Sequence, residues 1–146
     1  MFLKQAVLAG GRNSVDQEID GVEDNALGGY LAVGALKPTA QDLVFGISAS
    51  GQTPFVWGAL FAAQQASAQT ALLSFNPNFR PQMELKHLIQ IDCGPEVLTG
   101  STRLKCGTLT KIILNMVSTS SMVHLGKSSK SSNKIKKIYF CLWDVV

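Results

Sequence analysis

Asp42-Leu43-Val44-Phe45-Gly46-Ile47-Ser48-Ala49-Ser50-Gly51-Gln52-Thr53-Pro54 joins an apolar run to a hydroxyl-rich loop and then to a proline. The run Asp42–Ser48 is apolar almost throughout, as a strand buried on both faces should be. Pro54 suits the first position of a helix, where its missing N–H costs nothing. The residues that follow, to Ser67, are rich in alanine and other helix formers. A strand, a tight loop and a helix in that order make one unit of a parallel α/β sheet. Within the loop, Gly51 permits the positive φ that a tight turn needs, and Thr53 stands at the N-cap position. The front of such a helix offers unpaired N–H groups and partial positive charge to an anion. Ser48, Ser50 and Thr53 add three hydroxyl donors. The loop holds no lysine or arginine. That suits a small phosphate monoester better than a nucleoside triphosphate, which usually recruits a lysine and a metal. Generic turn rules fit an ordinary capped strand-to-helix turn equally well.

Outward from this unit, strand and helix patterns alternate. Phe2–Leu8 reads as a strand ending at Ala9-Gly10-Gly11, and Ser14–Gly21 as a short helix. Glu23–Leu36 reads as a short helix, a break at Gly28-Gly29 and a connection to Lys37-Pro38. Thr70–Phe75 and His87–Asp92 are further strands, separated by the loop Asn76–Gln82. Gly94–Gly100 is a turn. Arg103–Gly126 is a long helix in which Leu104, Leu109, Ile112, Ile113, Met116, Val117 and Met122 recur at helical spacing. Lys127–Lys137 is polar and basic without periodicity, the pattern of a solvated flexible insertion. Ile138–Val146 is apolar again and has two readings, a strand returning to the sheet or a sticky chain end.

The 146 residues suffice for one domain, and 46% are hydrophobic. Only 16% are charged, below the roughly 25% of soluble domains, so much of the surface is expected to be covered. No apolar run approaches the ~20 residues of a membrane span, and the first residues lack the pattern of a signal peptide. Five of the thirteen basic residues fall between Lys127 and Lys137, and the net charge is +3. Nucleic acid is therefore not an expected partner. Cys93, Cys106 and Cys141 form no C-x-x-C pair and adjoin no histidine cluster, so no metal site is expected. An odd cysteine count without a framework fits a reducing, cytoplasmic location.

Two other stretches are dense in chemistry. Gly94–Thr108 is full of turn formers and hydroxyls and opens the long helix. Ser101 or Thr102 is its expected cap, and Arg103 and Lys105 stand in its first turn. Cations there oppose the helix dipole, so they face an anion or a partner, or are simply solvated. Ile19–Asp24 ends in the acidic pair Glu23-Asp24. Such a pair is ordinarily a solvated helix start, but beside a bound sugar a carboxylate can remove a carbon-bound proton.

Together these segments resemble the N-acetylmuramic acid 6-phosphate etherases, enzymes with a sugar isomerase (SIS) domain. The family pattern runs A-G-G, then E-x-x-E-D, then D-x-V-x-G-I-x-A-S-G-x-T-P, then G-P-E-V-x-T-G-S-T-R-x-K-x-G-T-x-x-K-x-x-L-N-M-x-S-T. Here these are Ala9-Gly10-Gly11, the Glu23-Asp24 pair, Asp42–Pro54 and Gly94–Thr119, covering roughly residues 5–127. The resemblance implies a flavodoxin-like parallel sheet with helices on both faces, incomplete here. Residues 1–126 would be a partial SIS domain, 127–137 a basic flexible insertion and 138–146 an apolar C-terminal segment. It also implies cleavage of the D-lactyl ether to N-acetylglucosamine 6-phosphate and D-lactate, by elimination and water addition, without metal or organic cofactor. Glu23 matches a catalytic glutamate of the family. Ser48, Ser50, Gly51 and Thr53 match its phosphate loop, and Ser101, Thr102, Arg103 and Lys105 match a segment lining the sugar. A homodimer is implied too. The related glucokinase regulatory protein offers a non-catalytic alternative, a sugar-phosphate sensor.

The family also has a G-T-S-G-R-L-G loop and a helix carrying a proton-donor glutamate. The present sequence contains no such loop, and Glu18, beside Glu23, is not a substitute for the donor. A truncated or decaying copy is therefore expected. Loss of the acid alone would cost on the order of 10²–10⁴ in rate.

Overall fold

A computed structural model describes residues 3–16, 19–127 and 137–142. The strands are β1 (Leu3–Leu8), β2 (Asp42–Ile47), β3 (Gln69–Ser74), β4 (His87–Gln90) and β5 (Lys137–Leu142). They form one sheet in the order β1-β5-β2-β3-β4, with every neighbouring pair parallel. The fold is thus the parallel α/β architecture expected from the sequence. All six residues of β2 are buried, which is why its sequence shows no alternation.

The apolar C-terminal run resolves in favour of the sheet. β5 pairs with β1 from Leu3↔Lys137 to Leu8↔Leu142, and with β2 from Asp42↔Lys137 to Ile47↔Leu142. It is the strand between them, with Ile138, Tyr139 and Cys141 at most 1% exposed. Most of the basic stretch 127–137, the end of the chain at 143–146, and Glu18 lie outside the described residues.

The helices are α1 (Asn13–Asp16), α2 (Ala26–Ala35), α3 (Pro54–Gln65) and α4 (Lys105–Lys127), with a 3-10 turn at Val22–Asp24. One expectation fails here, because α2 continues through Gly28-Gly29 without a break. The Oδ1 of Asn25 accepts the Gly28 N–H at 2.8 Å and starts the helix. The glycines serve packing instead. α2 lies along α3, and a methyl group on Gly29 would strike the Phe55 carbonyl, while one on Gly58 would strike that of Ala26. The two helices therefore meet backbone to backbone. Val33 of α2, Val56 and Leu60 of α3, Val44, Leu72 and Tyr139 then close the core.

The chain divides into two compact units, Met1–Asp92 with Ile135–Trp143, and Cys93–Lys134 with Asp144–Val146. The first contains the whole sheet with α1, α2 and α3; the second contains α4. No helix among the described residues is long and apolar enough to cross a membrane. An open cavity of about 630 Å³ is lined by Gln64, Ser67, Gln69, Thr70 and Lys86 among others. It sits at the amino ends of β3 and β4. Open parallel sheets bind ligands at the opposite edge, outside the carboxyl ends of the strands.

Candidate active site

At that carboxyl edge, β2 runs into the loop Ser48–Thr53 and β3 into Phe75–Phe79. The Ser48 N–H still bonds to Leu73 at 3.1 Å, so the loop springs directly from the sheet. Ser48 is 1% exposed. Its Oγ accepts the Gly51 N–H at 3.0 Å and that of Thr53 at 3.4 Å, and it shares a 2.7 Å hydrogen bond with the Thr53 hydroxyl. Thr53 does occupy the N-cap position, but its hydroxyl faces Ser48 and makes no cap bond. The reason is competition, since the buried Ser48 oxygen needs that partner. Pro54 follows at the first helical position. The amides of Phe55 and Val56 are consequently left without a partner among the described residues.

Gly51 has φ +79, and a methyl group there would overlap the Phe79 ring. Phe79 stacks on Trp57 with centroids 5.8 Å apart, and the Trp57 indole N–H donates to the Gly51 carbonyl at 2.8 Å. Asn76 Nδ2 donates to the Ser50 carbonyl at 3.3 Å, and Gln90 Nε2 holds the Asn76 and Phe79 carbonyls from β4. The side chains that brace the loop thus come from α3, from β4 and from the loop that follows β3. Ser50 is exposed, and its oxygen accepts the Gln52 N–H at 3.1 Å. It also shares a long hydrogen bond, 3.4 Å, with the Ser48 hydroxyl, a contact that an incoming acceptor can replace. The loop presents one outward hydroxyl over a helix front, while Ser48 and Thr53 fix its shape.

Asp42, the acid that opens the motif, is engaged in the fold. It is 2% exposed, and its Oδ2 accepts the Thr39 N–H at 2.8 Å and the Thr39 hydroxyl at 3.0 Å. Glu23 differs. It lies in the 3-10 turn behind Gly21, and that turn packs on α3, the helix that begins at the loop. Its Oε2 is buried without a hydrogen-bond partner among the described residues. Buried carboxylate oxygens are ordinarily satisfied, and an orphan of this kind is what a proton-accepting group needs.

Ser101, Thr102, Arg103 and Lys105 belong to the second unit. Lys105 is the first residue of α4, and Arg103 precedes the helix. The expected hydroxyl cap is not the one used. Glu96 caps α4, its two oxygens accepting the Lys105 N–H at 3.1 Å and the Cys106 N–H at 2.9 Å. A carboxylate answers the helix dipole better than a hydroxyl. The bond from the Cys106 amide, opposed by some burial and helped by that of Lys105, holds the Glu96 carboxyl below the usual carboxylate range. The Lys105 ammonium donates to the Cys93 carbonyl at 2.6 Å.

Sequence spacing also missed the thiols. Cys93 and Cys106 stand with sulfurs 3.4 Å apart, and with the Glu96 carboxylate they form a set whose ligand atoms all lie within 4.8 Å. Burial first, then Cys93 and Glu96, push the Cys106 thiol up to about 12. Burial alone does the same to Cys141.

No protein-family model matches the chain. Curated proteins do. The chain is 46% identical over 122 residues to the N-acetylmuramic acid 6-phosphate etherase of Cutibacterium acnes, an overlap of 84% of this chain and 40% of that protein. It is 48% identical over 121 residues to the etherase of Lactococcus lactis, and 42% identical over 123 residues to that of Synechococcus elongatus. These overlaps cover 83% and 84% of the chain but 41% and 40% of the relatives. Over most of its length the chain is therefore similar to N-acetylmuramic acid 6-phosphate etherases, and it spans about two fifths of the length of the curated relatives it matches.

Proposed function

We propose that the chain supplies the phosphate loop and one acid–base group of a lyase that cleaves the D-lactyl ether of N-acetylmuramic acid 6-phosphate. The observation that carries this reading is identity of 42–48% across most of the chain to proteins named for that reaction. In it, the sugar phosphate rests on the amides of Phe55 and Val56 and on the Ser50 hydroxyl, while Gly51 lets the backbone come close. Ser48 and Thr53 hold those donors in place. Glu23 removes the proton beside the carbonyl of the open-chain sugar, and lactate departs from the neighbouring carbon. Water then adds across the double bond. For Ser101, Thr102, Arg103 and Lys105, in the second unit, a part in binding the sugar is supported by the sequence resemblance alone. Sheet and loop make a SIS-type domain in this reading. A phosphorylated sugar does not cross a membrane unaided, so the reaction belongs in the cytoplasm.

The expected partner is a second copy of the chain. Leu27, Leu31 and Phe61 are 65%, 58% and 48% exposed on neighbouring α2 and α3, and an apolar patch on a weakly charged surface favours burial against a partner.

The reading is tested by D-lactate release from N-acetylmuramic acid 6-phosphate at high protein concentration. Slow release is expected, falling by about 10²–10⁴ in Glu23→Gln. Release indifferent to that change removes Glu23 from the mechanism. Saturable binding of the sugar phosphate with no release selects the non-catalytic sensor instead.

A further inference from the structure

We propose that Cys93, Glu96 and Cys106 hold one divalent transition-metal cation, zinc by ligand type, at the start of α4. Two thiols and a carboxylate converge within 4.8 Å, and thiolate with carboxylate is a donor set zinc accepts. The sulfurs are 3.4 Å apart. Two sulfurs on tetrahedral zinc, at bonds of ~2.3 Å, sit about 3.8 Å apart, so the pair need open only by a few tenths of an ångström. The carboxylate is already oriented, because both its oxygens accept amides of the first turn of α4. Such fixing of a ligand by its outer partners is a regular feature of metal sites.

Charge supports the same assignment. Two thiolates and a carboxylate carry three negative charges. A divalent ion supplies two positive charges, and the ammonium of Lys105, held on the Cys93 carbonyl at 2.6 Å, supplies the third. On binding, each thiol exchanges its proton for a bond to the metal, and the two protons pass to solvent. Water completes the fourth position. The ion would clip Cys93 to the first turn of α4, across the segment that carries Ser101–Lys105. Its role is to hold that segment in shape, independently of the lyase reading.

The experiment is titration of the reduced full chain with Co²⁺ as the probe, followed by Zn²⁺ displacement. One ion per chain is expected, with an intense near-ultraviolet sulfur-to-cobalt band that Zn²⁺ removes. Cys93→Ser and Cys106→Ser should each weaken binding by about 100-fold or more, beyond the 10–100-fold typical of outer-shell changes. Cys141→Ser, in β5, should leave it unchanged. As a check free of folding effects, Zn²⁺ should protect the unmutated chain's Cys93 from alkylation. Binding that survives loss of either Cys93 or Cys106, a band without saturation, or a Cys93–Cys106 disulfide formed on exposure to a small-molecule disulfide that Zn²⁺ does not block, would each overturn the assignment.

Discussion

Ser48 and Ser50 are the same residue type two positions apart, yet the structure gives them different tasks. Ser48 is buried and carries the internal hydrogen bonds of the loop, whereas Ser50 is exposed. Ser48→Ala leaves the Gly51 amide and the Thr53 hydroxyl short of a buried partner and should cost about 1–3 kcal/mol, read from denaturant unfolding. Ser50→Ala should leave that curve unmoved and instead weaken sugar-phosphate binding. Equal effects of both on stability would refute the division. Glu23 invites the opposite comparison. Its buried Oε2 contributes no hydrogen bond to the fold, so Glu23→Gln should not lower the melting temperature even as it removes proton abstraction. Local sequence shows the residue types of this loop but not which hydroxyl points outward, because that choice depends on Phe79 and Asn76, more than twenty residues away along the chain.

At the scale of elements, β2, its loop and α3 were legible because strand, turn and helix signals are all local. α2 was misread because Gly28-Gly29 signals a break locally, and only the partner helix shows that Gly29 serves close approach. Gly29→Ala or Gly58→Ala should push the helices apart and cost about 1–3 kcal/mol or more, measurable by thermal or chemical unfolding. An unchanged midpoint would mean that the pair does not pack backbone to backbone. The start of α4 was also misread. Ser101 and Thr102 obey the local capping rule, but Glu96 reaches the same amides from nine and ten residues away, and no short-range pattern encodes that. Its carboxyl titrates below the usual value in the folded chain, so its contribution is present above the unfolded value of 4.5 and is lost as pH falls through the lower folded one. The protection factors of the Lys105 and Cys106 amides, taken against intrinsic exchange at each pH, should therefore fall in acid, and Glu96→Gln should show the lowered protection already at neutral pH. Protection independent of pH in the unmutated chain would exclude the carboxylate as cap.

For the whole molecule, the parallel sheet was legible from alternating strands and helices, but the place of β5 was not. Residues 138–142 are only an apolar run in sequence, and register with β1 and β2 depends on pairing across the entire chain. The low charge and the exposed Leu27, Leu31 and Phe61 argue for association. Leu31→Glu should shift the chain toward monomer in sedimentation, and a monomeric unmutated chain would remove the homodimer. The proposed function requires a phosphate monoester at the front of α3. The most direct measurement is calorimetric titration of the chain with N-acetylglucosamine 6-phosphate, the unphosphorylated sugar and the Ser50→Ala variant. Saturable binding of the phosphorylated sugar alone, weakened in the variant, is the predicted result. Equal affinity for the sugar without its phosphate, or binding untouched by Ser50→Ala, would contradict it.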